Sequence, residues 1–198
     1  MIDIEIKPPN LKLINVEIFG TSPLICHRWS EKAKKEMLDK QMKKSKVGRQ
    51  AKNPEQEFKD SLYPLSDGSG YGFPAVAFKL AAVRAAQNLN MHMTQARQLF
   101  FVYADDGDLV RIQADEPTMR EDMVRLNGKV PDIRYRGEFK EWKVSLKIRY
   151  NADIISAEQV CNLLNLAGFS VGIGDWRTER NGIFGSFSLI EQEQVKAA

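Results

Sequence analysis

The sequence predicts an α+β protein with helices on one face of an antiparallel sheet. Three observations carry that expectation. Glu141-Trp142-Lys143-Val144-Ser145-Leu146-Lys147-Ile148-Arg149-Tyr150 alternates strictly. Trp142, Val144, Leu146, Ile148 and Tyr150 share one face, and Lys143, Ser145, Lys147 and Arg149 share the other. Ser156-Ala157-Glu158-Gln159 then forms a capping box, followed by Val160, Leu163, Leu164 and Ala167 on one helical stripe. Strands and helices are interleaved along the whole chain, with no internal repeat.

Each element has a local reason. Leu13 to Phe19 reads as the first strand, with Val16 and Ile18 alternating against polar neighbours, and Gly20-Thr21-Ser22-Pro23 ends it. Ser30 is a good N-cap for a helix that loses its apolar periodicity after Met42. Lys43 to Asn53 is almost wholly polar and is expected to be a mobile loop. Pro54-Glu55-Gln56-Glu57 restarts a helix with proline first and acids in the opening turn. Tyr63 to Phe73 is turn chemistry, and Pro74 to Ala86 is an alanine-rich helix suited to close packing. Phe100 to Ala104 and Leu109 to Ile112 flank Asp105-Asp106-Gly107-Asp108, which predicts a β-hairpin. Gly168 is expected to stop the capped helix, and Phe184 to Ile190 to form the last strand.

The simplest fold with this order is a ferredoxin-like β-α-β-β-α-β core. Residues 1–198 make one domain. A basic helical insertion at 31–72 follows the first strand, a second insertion separates the middle strands, and a glycine-rich loop at 168–187 leads into the last strand.

Composition narrows the function classes. No stretch approaches the roughly 18 apolar residues of a membrane span, so no membrane partner is expected. Met1-Ile2-Asp3-Ile4-Glu5-Ile6 is acidic and alternating, unlike a signal peptide. Two cysteines, Cys26 and Cys161, and two histidines, His27 and His92, make neither a disulfide framework nor a cysteine- or histidine-rich metal centre. A reducing, cytoplasmic setting follows, with neither metal nor cofactor. The net charge of +3 is unevenly spread: Lys32 to Lys52 carries nine bases against two acids, a local +7 that leaves −4 for the rest. Such asymmetry points to a polyanionic partner or a flexible basic arm.

Gly172-Ile173-Gly174-Asp175-Trp176-Arg177-Thr178-Glu179-Arg180-Asn181-Gly182-Ile183-Phe184-Gly185 is the strongest functional signal. Glycines let a backbone approach a phosphate, arginines pair with it, and tryptophan stacks on a base. The bland reading is a glycine-rich hairpin whose Trp176 covers the core, and local features alone favour it. Gly68-Ser69-Gly70-Tyr71-Gly72-Phe73-Pro74 is a second candidate, either a phosphate-binding turn feeding a helix or a plain tight turn. Asp105, Asp106 and Asp108 lack the spacing of a calcium loop and read as a solvated turn.

The segment from Ala167 to Phe187, placed between an amphipathic helix and a last strand, resembles the glycine-rich loop of the RAMP superfamily. These are the ferredoxin-like RNA-binding proteins that form the backbones and processing nucleases of CRISPR systems. The chain is also similar to uncharacterised proteins of tailed bacteriophages, through Tyr71-Gly72-Phe73-Pro74-Ala75-Val76-Ala77-Phe78 and Gly172-Ile173-Gly174-Asp175-Trp176-Arg177. The resemblance implies that Glu31 to Gly72 is the excursion backbone-type members carry after their first strand. It also implies that His27, in Cys26-His27-Arg28-Trp29, occupies the place of a general base in the processing nucleases, with Arg28 on the phosphate.

The expectation is a non-enzymatic, sequence-tolerant single-stranded nucleic-acid-binding protein, phage-encoded, acting in the host cytoplasm and assembling with its own copies on RNA or single-stranded DNA. Lys40, Lys43, Lys44, Lys46, Arg49, Lys143, Lys147, Arg149, Gly172, Gly174, Trp176, Arg177 and Arg180 are the expected contacts, the open sheet face extending the groove of the basic run. Two alternatives stay open. One is a metal-independent RAMP-type endoribonuclease using His27, and the other a structural protein whose basic arm binds an acidic partner.

Overall fold

The alternation at 142–150 is resolved as a pleat demands. Trp142, Val144, Leu146, Ile148 and Tyr150 are buried, while Lys143, Lys147 and Arg149 are exposed. The computed structural model describes residues 7–44, 51–126 and 130–189. In chain order the elements are β1 (Leu11–Gly20), β2 (Leu24–Cys26), α1 (Glu31–Gln41), α2 (Pro54–Ser61), β3 (Gly72–Pro74), α3 (Ala75–Ala85) and α4 (Met93–Leu99). They continue with β4 (Phe100–Val102), β5 (Leu109–Arg111), β6 (Thr118–Leu126), β7 (Val130–Phe139), β8 (Lys143–Asn151), α5 (Ala157–Ser170) and β9 (Phe187–Ser188). The fold is α+β.

The main sheet has the order β4-β8-β1-β9, antiparallel throughout. Its register pairs Leu13 with Arg149, Asn15 with Lys147 and Phe101 with Arg149, so these residues share the open face. The helices α3 and α5 pack on each other and bury the opposite face. Alanines at 81, 82 and 85 let α3 approach closely, and the capping box fixes the start of α5, with Ser156 accepting from the Gln159 N–H and Gln159 from the Ser156 N–H.

Two smaller sheets stand beside this core. One is β2-β7-β6, dominated by the long β6–β7 hairpin, and the other is the pair β3–β5. The hairpin lies in the chain between β5 and β8. At its base Gly137 lies against Leu62, and its N–H donates to the buried Ser61 hydroxyl at 2.8 Å, which fixes α2 to β7.

Three local expectations are corrected. The Asp-Gly turn forms, with Gly107 in left-handed backbone at φ 58° and an isolated Asp106–Leu109 bridge closing it, but β4 and β5 do not pair with each other. β4 joins the edge of β8 and β5 joins β3. Gly168 does not stop α5, which runs on to Ser170. The missing side chain there admits the backbone of Phe187, so this glycine lets β9 lie against the helix. The last strand is only Phe187–Ser188; Phe184 instead makes an isolated bridge with Arg177. Residues 45–50 of the expected mobile loop and Ile190 lie outside the described residues.

Candidate functional site

The glycine-rich segment after α5 is stitched to the end of β2. The N–H of Asp175 donates to the Ile25 carbonyl at 3.0 Å, and that of Gly185 to the Pro23 carbonyl at 2.8 Å. Gly172, Gly174 and Gly185 hold left-handed backbone, and the space beside them is filled by the protein's own main chain. These glycines let the loop fold closely on itself and on β2. Gly182 shows this most sharply, since a Cβ there would overlap the Trp176 carbonyl.

That packing holds Trp176 at φ 51° with 45% of its surface exposed. Its ring does not cover the core. Arg177 does not reach outward freely, because its Nε and Nη2 donate to Glu179 at 3.1 and 2.8 Å. Arg84 of α3 meets the other oxygen of Glu179 at 2.9 Å, so one carboxylate ties loop to helix. Arg180 is exposed in the short 3-10 turn Thr178–Arg180.

His27 follows β2 and is brought to the same place. Its Nδ1 lies 3.1 Å from Asp175 Oδ2, and that oxygen lies 2.8 Å from Arg136 Nη2 on β7. A carboxylate accepts only, so Nδ1 carries the hydrogen and the neutral ring keeps its lone pair on Nε2. The imidazole is half exposed, at 51%. The His27 hydrogen bond and then the Arg136 charge hold the Asp175 carboxyl below its ordinary range, against the opposing effect of burial. Arg136 is buried, with 7% of its side chain exposed. Its Nη1 lies 3.5 Å from Asp122 without hydrogen-bond geometry, and neither Nη1 nor Nε has a hydrogen-bond partner among the described residues. Next to it, Arg120 pairs with Asp122 and Glu138 and lies over the Phe184 ring at 4.7 Å, so the hairpin braces the loop.

Between the loop and α3 lies a cleft of about 420 Å³. Its polar wall is His27, Asp175, Arg177 and Glu179, and Leu80 and Phe73 contribute apolar lining. Asp175 and Arg136 are not among the residues expected from sequence at the site. Asp175 lies 148 residues from His27 in the chain, and no local pattern joins them.

The other expected contacts fall elsewhere. Lys40, Lys43 and Lys44 are exposed on or just after α1, and Lys44 pairs with Asp39 at 2.9 Å. Lys46 and Arg49 lie outside the described residues. Lys143, Lys147 and Arg149 lie on the open sheet face, away from the helix layer on which the cleft is built. Arg28, expected on a phosphate, donates from Nε to the Asp60 carbonyl at 3.2 Å.

The Gly68–Pro74 turn is occupied by its own carboxylates. Asp67 accepts from the Ser69 N–H and hydroxyl and from Arg111, which holds its carboxyl down to about 2. Asp106 accepts the Ser66 N–H at 2.6 Å, and two carboxylates facing the turn repel an incoming phosphate. Among the described residues, no group of three or more His, Cys, Asp and Glu side chains is placed to hold a metal ion, and no helix is long and apolar enough to cross a membrane. No family model matches this chain, and no curated protein does.

Proposed function

We propose that this chain is a sequence-tolerant single-stranded nucleic-acid-binding protein on a ferredoxin-like core. What supports the fold reading is the order β4-β8-β1-β9, with β1-α3-β4 and β8-α5-β9 as its two interlocked units. The observation that carries the function is Trp176. A bulky side chain in left-handed backbone is strained, and strain of this kind is retained where a side chain must be presented. Here an indole stands at the surface between two residues that line the cleft, with Arg180 four positions on. A base stacks on the indole and its phosphate pairs with Arg180.

Assembly on the strand belongs to the same proposal. α1 has 11 residues, none of them buried, and it exposes Met37 and Leu38, with Met42 just beyond its end. A helix so short is marginal alone in water, so contact with a neighbouring copy supplies the burial it lacks.

Trp176→Ala is expected to weaken binding of a labelled mixed-sequence oligonucleotide by about 1–3 kcal/mol, with the melting temperature nearly unchanged. Unchanged affinity in a folded variant rejects the reading.

The pairing of His27 with Asp175 favours a second reading, a metal-independent endoribonuclease. Nε2 takes the proton of a ribose 2′-hydroxyl, the oxygen attacks the adjacent phosphorus, and the 5′-oxygen leaves with a proton from solvent, giving a 2′,3′-cyclic phosphate. Cleavage of labelled RNA in chelator, abolished in His27→Ala and on a 2′-deoxy substrate, is the outcome this reading requires.

A further inference from the structure

On the open face of the main sheet, aromatic rings and cations are collected without carboxylates to pair them. Phe101 is 47% exposed on the edge strand β4, and its ring meets Tyr103 edge-on, with centroids 5.1 Å apart at 80°. The Arg149 guanidinium lies 5.9 Å from the Phe101 ring and 5.5 Å from that of Tyr103. Lys147 stands 5.8 Å from Tyr103, and Lys79 comes from α3 to 5.9 Å from Phe101. Among the described residues none of these three cations has a carboxylate at ion-pair distance. Of the described strand residues on this face, Glu17 is the single acid, and it pairs in register with Ser145 rather than with a cation.

We propose that Phe101, Tyr103, Lys147 and Arg149 form a second single-strand contact, in which bases stack on the rings and phosphates pair with the cations. The proposal rests on the single-strand reading above and adds a separate place to it. The sheet and its helix layer lie between this face and the cleft, so an oligonucleotide of a few residues at one does not occupy the other. Charge complementarity and ring chemistry together select the occupant. An acidic peptide would satisfy the cations and leave the rings bare, whereas a nucleic-acid strand brings a flat π-face and a phosphate at every step. Two separate contacts would let one chain hold two strands, or two stretches of one strand.

The test uses the full chain and labelled oligo(dT) of about eight nucleotides, within the range of a single stacking groove. Stoichiometry is read by native mass spectrometry and affinity by anisotropy. Wild type is expected to take two oligonucleotides per chain. Phe101→Leu combined with Arg149→Gln is expected to take one, with affinity at the altered face down about ten- to hundredfold. Leucine keeps the position apolar at an exposed site, and a melting curve confirms the fold. Trp176→Ala is expected to release the other oligonucleotide. One bound oligonucleotide on wild type, absent in Trp176→Ala and kept in the Phe101 and Arg149 variant, overturns the second contact and leaves the cleft reading standing. No binding by wild type overturns the single-strand reading itself. Equal binding of polyglutamate or phosphatidylserine vesicles, abolished in the same Phe101 and Arg149 variant, overturns the choice of occupant.

Discussion

On the helix side of the main sheet, Arg177 and Arg84 converge on Glu179, and His27 and Arg136 converge on Asp175. On the open side, Lys147 and Arg149 lie over Tyr103 and Phe101 with no carboxylate at ion-pair distance among the described residues. The same residue types are thus fixed in one region and free in the other. A cation held by a partly buried carboxylate is oriented and half neutralised, which suits positioning and proton transfer. A cation over a ring in solvent keeps its charge for a phosphate, and binding there should respond strongly to salt.

Both regions depend on one layer of packing. Leu163 is buried between α5 and the sheet, so Leu163→Ala is expected to cost about 2–5 kcal/mol, read as a shift in denaturant midpoint. The two regions should lose function together, and only as the chain unfolds. A midpoint equal to wild type would mean that the helix layer does not support them.

Gly182→Ala separates the regions. Its new Cβ meets the Trp176 carbonyl, and relieving the overlap is expected to cost about 1–3 kcal/mol. Binding that depends on Trp176 should fall, while binding that depends on Phe101 should persist. An equal fall at both would show that the loop and the open face act as one site.

Acid should act on the fixed region. The folded carboxyl of Asp175 sits below its ordinary value, so its stabilisation is complete above the unfolded value of about 3.9 and disappears as pH falls through the lower folded one. Asp175→Asn should therefore be less stable than wild type at neutral pH, and the gap in melting temperature should close toward pH 3. Asp67 titrates in the same window in both proteins, so it cancels in the comparison. A gap that stays constant from pH 7 to the acid limit would mean that the ionised form of the Asp175 carboxyl contributes nothing to the fold.

The elements that can be read from sequence are those whose signal is periodic and local. The strand at 143–151 and the stripe of Val160, Leu163 and Leu164 are visible because one side of each must be dry. β2 escapes such a reading because three buried residues contain no period. The β6–β7 hairpin also escaped it, although Asn127-Gly128, the strongest short hairpin signal, lies between two polar alternating runs. The turn expected to make a hairpin, at Gly107, has correct local chemistry, but its arms pair with β3 and β8. The site divides in the same way. Trp176 and the basic strand face are written in short motifs, whereas the link from His27 through Asp175 to Arg136 joins three distant segments and exists only after folding.

The smallest effect is the sharpest test of fixed against free charge. If Lys147 and Arg149 pair with phosphates, changing either to glutamine should flatten the dependence of log affinity on log salt. On a single strand the slope falls by about 0.7 for each phosphate no longer neutralised. Arg177→Gln should leave that slope in place, because its charge is already matched by Glu179 and releases few counterions on binding. The same argument reaches α1. Lys40 and Lys43 have no acidic partner among the described residues, whereas Lys44 pairs with Asp39. Lys40→Gln and Lys43→Gln should therefore flatten the slope more than Lys44→Gln if the arm meets the strand. Anisotropy titrations across a salt series, with one substitution at a time, give each slope directly. Equal flattening by Arg177→Gln and Arg149→Gln would mean that Glu179 does not hold its arginines in solution, and the difference between the two faces would then rest on the aromatic rings alone.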